Sequence, residues 1–168
     1  DALEAFKMFK KHPKKEHIST FNRLSYDIGY IYFKLGEYDY ALKSFDAFNK
    51  ANNSFDISYQ LDTFLRMGDC QFALKQYWPA MEHYNTAIAL SSSRAAYALF
   101  QKAISYGFVD RNPKKIETLL VLVTEYEKDP LVDDALFELA SSYSRERNSI
   151  KAIATYEDLL GSYQNSPY

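Results

Sequence analysis

Cysteine is nearly absent from this chain of 168 residues: Cys70 stands alone. A single thiol excludes an internal disulfide, and with three scattered histidines it offers no zinc-ligand spacing. It leaves the compartment open. Glycine and proline are scarce, at five each, so long regular elements are expected. No apolar run approaches the roughly 18 residues that cross a bilayer; the longest aliphatic run spans 119–123, and no membrane insertion is expected. An excess of one charge is missing too. The formal net charge is −2, and the largest basic cluster is Lys10, Lys11, Lys14 and Lys15. That balance gives no electrostatic footprint for nucleic acid, and the cluster reads as a solvated helix end. Phosphate-cradling glycine loops and a Gly-x-Ser-x-Gly elbow are also lacking.

What the chain does have is apolar and aromatic mass. Almost half of it is apolar, a quarter is charged, and it carries fifteen Tyr, twelve Phe and one Trp. This is a folded composition. Self-similarity comes next. Residues 98–131 laid over 135–168, an offset of 37, agree at twelve of 34 positions without a gap, among them Ala103 with Ala140, Tyr106 with Tyr143 and Pro130 with Pro167. The unit recurs upstream, in Tyr26, Gly29, Tyr32, Tyr38, Ala41 and Phe45, and again in Phe64, Gly68, Tyr77, Ala80 and Tyr84.

Each unit holds two stretches with apolar residues at i, i+3, i+4 and i+7, the stripe of an amphipathic helix. With the units numbered from Asn22, Leu61, Ala96 and Asp133, the eighth places are Gly29, Gly68, Ala103 and Ala140. The twentieth places are Ala41, Ala80, Lys115 and Ala152. Small residues at both places let two antiparallel helices cross closely. Lys102 and Lys115 depart from the pattern, so the helices of unit three are expected to be shifted by a residue. Pro13, Pro130 and Pro167 fall at unit ends, and Pro79 and Pro113 where second helices begin, as the missing N–H of proline requires. Asp56, Ser93 and Asp133 are expected to be N-caps. Ala2, Phe6 and Phe9 match the second helix of a preceding unit. Nine helices are therefore expected, an orphan over 1–17 and four pairs over 22–55, 61–94, 96–131 and 133–168. The chain reads as a piece of a longer array.

The bulky residue, the following small one, the Tyr and the later Ala and Phe/Tyr resemble the tetratricopeptide repeat (TPR) family. The unit spacings of 39, 35 and 37 residues and the Tyr-x-x-x-Pro endings are similar to those of bacterial cell-envelope members. That resemblance implies an all-α, right-handed helical solenoid, a periplasmic or outer-membrane-associated setting, and a protein or peptide partner. It also implies that the second, fifth, ninth, twelfth and thirteenth places of each first helix line a concave groove. Among those positions are Tyr26, Tyr30, Phe33, Leu65, Phe72, Tyr97, Phe100, Ile104, Gly107, Phe108, Phe137 and Arg145. The eight aromatics of this set are the expected partner-binding residues, with packing between helices as the alternative for each. The family's carboxylate clamp needs Lys and Asn where this chain has Tyr26 and Tyr30, so it is absent.

Catalytic and metal roles find no constellation. His12 and His17 lie among lysines, and His83 sits between Glu82 and Tyr84. Asp133 and Asp134 fit a helix start, and Cys70 fits a half-buried helix position. No cofactor is expected. The leading function is a protein-interaction scaffold. A self-associating structural spacer comes second, an RNA-binding helical repeat third and an enzyme last.

Overall fold

The computed structural model describes residues 18–51, 57–90, 94–163 and 166, with side chains from residue 23 onward. All regular structure among them is helical. The helices are α1 (Ile18–Lys34), α2 (Tyr38–Ala51), α3 (Ile57–Ala73), α4 (Tyr77–Leu90), α5 (Ala95–Phe108), α6 (Asn112–Glu125), α7 (Val132–Arg145) and α8 (Ser149–Ser162). Eight helices thus lie in the described residues; the orphan helix expected over 1–17 lies outside them, as do Pro13, Pro167, Asp56 and Ser93. The chain divides into two compact units, 1–75 and 76–168. In the first, α1 packs on α2 and α3, and α2 on α3. In the second, each of α4 to α8 packs on the next.

The second helices begin at Tyr38, Tyr77, Asn112 and Ser149, the seventeenth place of all four repeats, so the helices of repeat three are not shifted. The fifteenth place is equally regular, and the sequence alone did not reveal it. Gly36, Lys75, Asp110 and Arg147 all take positive φ, at 77°, 60°, 54° and 58°. This is the left-handed residue that ends a helix and lets the chain turn back. In three repeats the next N–H closes on the carbonyl of the eleventh place: Glu37 on Tyr32, Arg111 on Tyr106 and Asn148 on Tyr143, each at 2.9 Å. Only repeat one uses glycine there; the others carry the left-handed strain on ordinary side chains.

The crossings explain the small residues. In the first unit Ala41, Phe45, Met67 and Cys70 are buried together, with Tyr26, Tyr32, Phe33, Tyr38 and Leu42 packed around them. A Cβ built on Gly29 would come within 2.8 Å of Phe45 Cδ1 and Cε1. The glycine is there because the ring occupies its side-chain space. In the second unit Leu99, Ala103, Leu119, Leu122, Leu136, Leu139 and Leu159 form the centre of one core.

Repeat three accommodates Lys115 where the other repeats have alanine. Lys115 is buried, and its Nζ donates to Glu138 Oε2 at 2.5 Å. Its Cδ lies 3.4 Å from the place a Cβ of Gly107 would take. The missing side chain at 107 makes room for the lysine stem, and α7 supplies the counter-charge. One expected cap moves: the residue flanking α7 is Leu131, and Asp133 sits inside the first turn. There its Oδ1 accepts from the backbone N–H of Asp134 at 2.9 Å. The chain enters α7 through a turn in which Asp129 Oδ1 accepts from Leu131 N at 3.0 Å, so the helix starts ahead of Asp133. Asn148 caps α8 with its side chain: its Oδ1 accepts from Lys151 N at 3.2 Å.

Candidate partner-binding site

The eight aromatics separate by exposure. In the first unit Tyr26 is half-buried. Its hydroxyl donates to Asp62 Oδ2 at 2.7 Å, and its ring packs against Phe45, Phe48 and Tyr59 at centroid distances of 5.2–6.0 Å. Burial, followed by the Asp62 contact, drives its phenol well above the ordinary range. Phe33 lies edge-on to Tyr38 under the Arg66 guanidinium, 5.4 Å from the ring centre. Arg66 is in turn held by Asp69 at 2.7 Å and Asp62 at 3.5 Å. Tyr30 is the outermost of the three, 36% exposed, between Tyr26 and Phe33 and 5.4 Å from the Lys34 ammonium. Phe72 is half-buried. Leu65, expected on the groove wall, is fully buried; its position turns inward because α3 buries a wider face than the repeat pattern assigns, from Leu61 and Thr63 to Cys70.

In the second unit Tyr97, Phe100 and Phe137 are half-buried. Phe100 and Phe137 pack against the core, and Phe137 is edge-on to Tyr156 at 6.1 Å. Phe108 differs: it is 58% exposed and stacks flat on Tyr77, centroids 4.8 Å apart and planes within 6°. Beside it lies a cavity of about 270 Å³ lined by Ile104, Gly107, Phe108, Lys115, Glu138 and Arg145. Four of these six, Ile104, Gly107, Phe108 and Arg145, hold groove places of the sequence reading, on the first helices of two successive repeats. The other two, Lys115 and Glu138, are the partly buried ion pair. Arg145 is exposed, in the last turn of α7, and makes no ion pair among the described residues. Sequence reasoning passed over Lys115 and Glu138. The signal was a lysine at a place held by alanine in the three other repeats, with a glycine at 107 to receive it.

The remaining polar candidates are accounted for locally. His83 Nδ1 lies 3.0 Å from the Pro79 carbonyl on its own helix. His12 and His17 are outside the described residues. Cys70 is fully buried, and burial, with Asp69 adding to it, pushes its thiol up to about 12. Among the described residues no three of His, Cys, Asp and Glu group as a metal site, and no helix is long and apolar enough to cross a membrane.

Helices that pack in succession within each unit, with a left-handed turn residue at the same place of every repeat, define an all-helical repeat protein. Two tetratricopeptide-repeat models match the chain, over residues 23–55 and 134–166. Over those two segments the chain carries tetratricopeptide repeats, and its fold class is the all-α fold of the tetratricopeptide solenoids. Solved structures agree. A MamA protein is similar at TM-score 0.74 and 17% identity, covering all of this chain and 89% of that one. YrrB, described as having an unusual peptide-binding site, is similar at 0.72 and 19%, over 98% of this chain and 79% of that one. A putative kinesin light chain with TPR-like repeats from Podosopora anserina is similar at 0.74 and 15%, over 98% and 86%. No curated protein matches by sequence.

Proposed function

We propose that this chain is a binding scaffold that holds a segment of a partner protein in a groove between α5 and α7, the first helices of repeats three and four. The observation that carries the reading is the cavity beside Phe108. It joins groove places of two successive repeats, and it is bordered by an aromatic ring left largely in water. A large aromatic held rigidly and exposed is the usual anchor of a protein interface. Stacking on Tyr77 holds that ring in place, so little freedom is lost on binding. The net charge of −2 favours a protein or peptide over nucleic acid as partner. The reading gives the chain no catalytic step.

The test is selection of short peptides from a display library on the intact chain, followed by affinity measurement with Phe108→Ala. Loss of a hot-spot aromatic costs about 2 kcal/mol, some thirtyfold in affinity. A folded Phe108→Ala protein that binds every selected peptide as tightly as the parent would remove the groove from consideration.

A second reading, self-association, has its own observation. Ile153 and Leu160 of α8 are 57% and 65% exposed, whereas Ile116 and Val123, at the same places of repeat three, are packed against the core. A face that is covered once within the chain is open on its last described helix, and a second copy could cover it. Light scattering at micromolar concentration decides. A monomer that Ile153→Asp leaves unchanged rejects self-association.

A further inference from the structure

The cavity beside Phe108 is chemically asymmetric, and the asymmetry names an occupant. Its walls carry three charges, on Lys115, Glu138 and Arg145. Two of them cancel: Lys115 Nζ is 2.5 Å from Glu138 Oε2, with side-chain exposures of 11% and 31%. The third, the Arg145 guanidinium, is exposed and has no ion pair among the described residues. The cavity therefore presents one uncommitted cation, and a guanidinium matches a carboxylate with two parallel hydrogen bonds.

The residues that α5 contributes to the cavity are uncharged and have a spacing. Ile104 and Phe108 are four residues apart on α5, which places them about 6 Å apart along the helix axis on one face. In an extended peptide, residues j and j+2 point to the same side about 7 Å apart, and residue j+1 points to the other. An extended segment lying along α5 thus sets two alternate side chains against Ile104 and Phe108. The one between them faces away, toward α7 and Arg145.

From this we infer that the groove selects an extended apolar–acidic–apolar segment: two bulky apolar side chains rest on Ile104 and Phe108, and the Asp or Glu between them pairs with Arg145. The inference rests on the groove reading above and adds the chemistry of its ligand. The occupant is an internal acidic residue rather than a chain terminus, because only an internal residue has an apolar neighbour on each side. The places involved are not those of the family's carboxylate clamp.

The test uses the full chain and fluorescein-labelled peptides containing Leu-Glu-Phe, Leu-Gln-Phe or Leu-Lys-Phe between serine-glycine flanks, amidated at the C-terminus and read by anisotropy. The expected order is Glu over Gln by about tenfold, with Lys weakest. Arg145→Glu should reverse the order, so that the Lys peptide binds best. Circular dichroism confirms that the variant is folded, which its exposed position at a helix end favours. Binding that needs Phe108 but ignores both the Glu to Gln change and Arg145→Glu would overturn the inference and leave the groove reading standing. Binding that appears only when the peptide has a free C-terminus would overturn the internal-acid assignment. Binding that is insensitive to Phe108→Ala and Arg145→Glu alike would overturn both.

Discussion

Gly29→Ala should destabilise the protein although it replaces glycine by the best helix former. Gly29 lies inside α1, where an alanine would normally gain about 1 kcal/mol. The structure reverses the sign. The added methyl would sit 2.8 Å from Phe45 Cδ1 and Cε1 and 3.1 Å from Cγ, against an ordinary carbon contact of about 3.5–4.0 Å. The ring cannot move aside easily: Phe45 is fully buried and edge-on to Tyr26 at 6.0 Å. Overpacking of this kind costs about 1–3 kcal/mol. The methyl overlaps three ring atoms at once, so the upper half of that range applies, and about 1–2 kcal/mol of net destabilisation remains after the propensity gain. Gly161→Ala is the internal control. Gly161 is exposed near the end of α8 with nothing within 4 Å of its added Cβ, so the same change there should be neutral or stabilise by up to about 1 kcal/mol. Urea unfolding followed by circular dichroism reads both. Phe45→Leu in the Gly29→Ala background adds a coupling test, since relief of the overlap makes the double variant more stable than additivity predicts. Equal and positive shifts for the two alanine variants would refute the packing argument.

Three further outcomes follow from the same contacts. Arg147→Gly and Lys75→Gly remove side chains from left-handed backbone at φ 58° and 60°, and each should stabilise by about 0.5–1 kcal/mol in chemical denaturation. Glu138→Gln should cost about 1–3 kcal/mol, between an exposed and a buried pair, because it leaves the buried Lys115 ammonium facing a neutral group; Lys115→Met combined with Glu138→Leu should recover most of the loss. Tyr26 and Cys70 both titrate higher in the folded chain than in the unfolded one, so their stabilisation is complete below pH about 9 and falls as pH rises past the unfolded values near 9 and 10; Tyr26→Phe should flatten the upper part of this alkaline loss, and Cys70 should stay unmodified by thiol reagents until the protein unfolds.

The sequence by itself determined the helical class and the recurring places of small and turn residues. A period of 3.6 and a recurring unit are local properties, readable wherever apolar, small and turn residues recur at set places. The aligned starts of α2, α4, α6 and α8 follow from that. Place in the repeat also singled out Ile104, Gly107, Phe108 and Arg145, which line one cavity in the structure. Tertiary structure decided the rest. Phe100 and Phe108 are both aromatics on one helix, yet one packs into the core and the other stacks on Tyr77 in water, a difference set by what the neighbouring helices bring alongside. Lys115 looked like a break in the register and is instead a buried cation matched by Glu138, 23 residues further on. No local pattern announces such a pair. Its stability comes from a low-dielectric contact between two helices and from the space that Gly107 leaves open, and both exist only once the chain has folded.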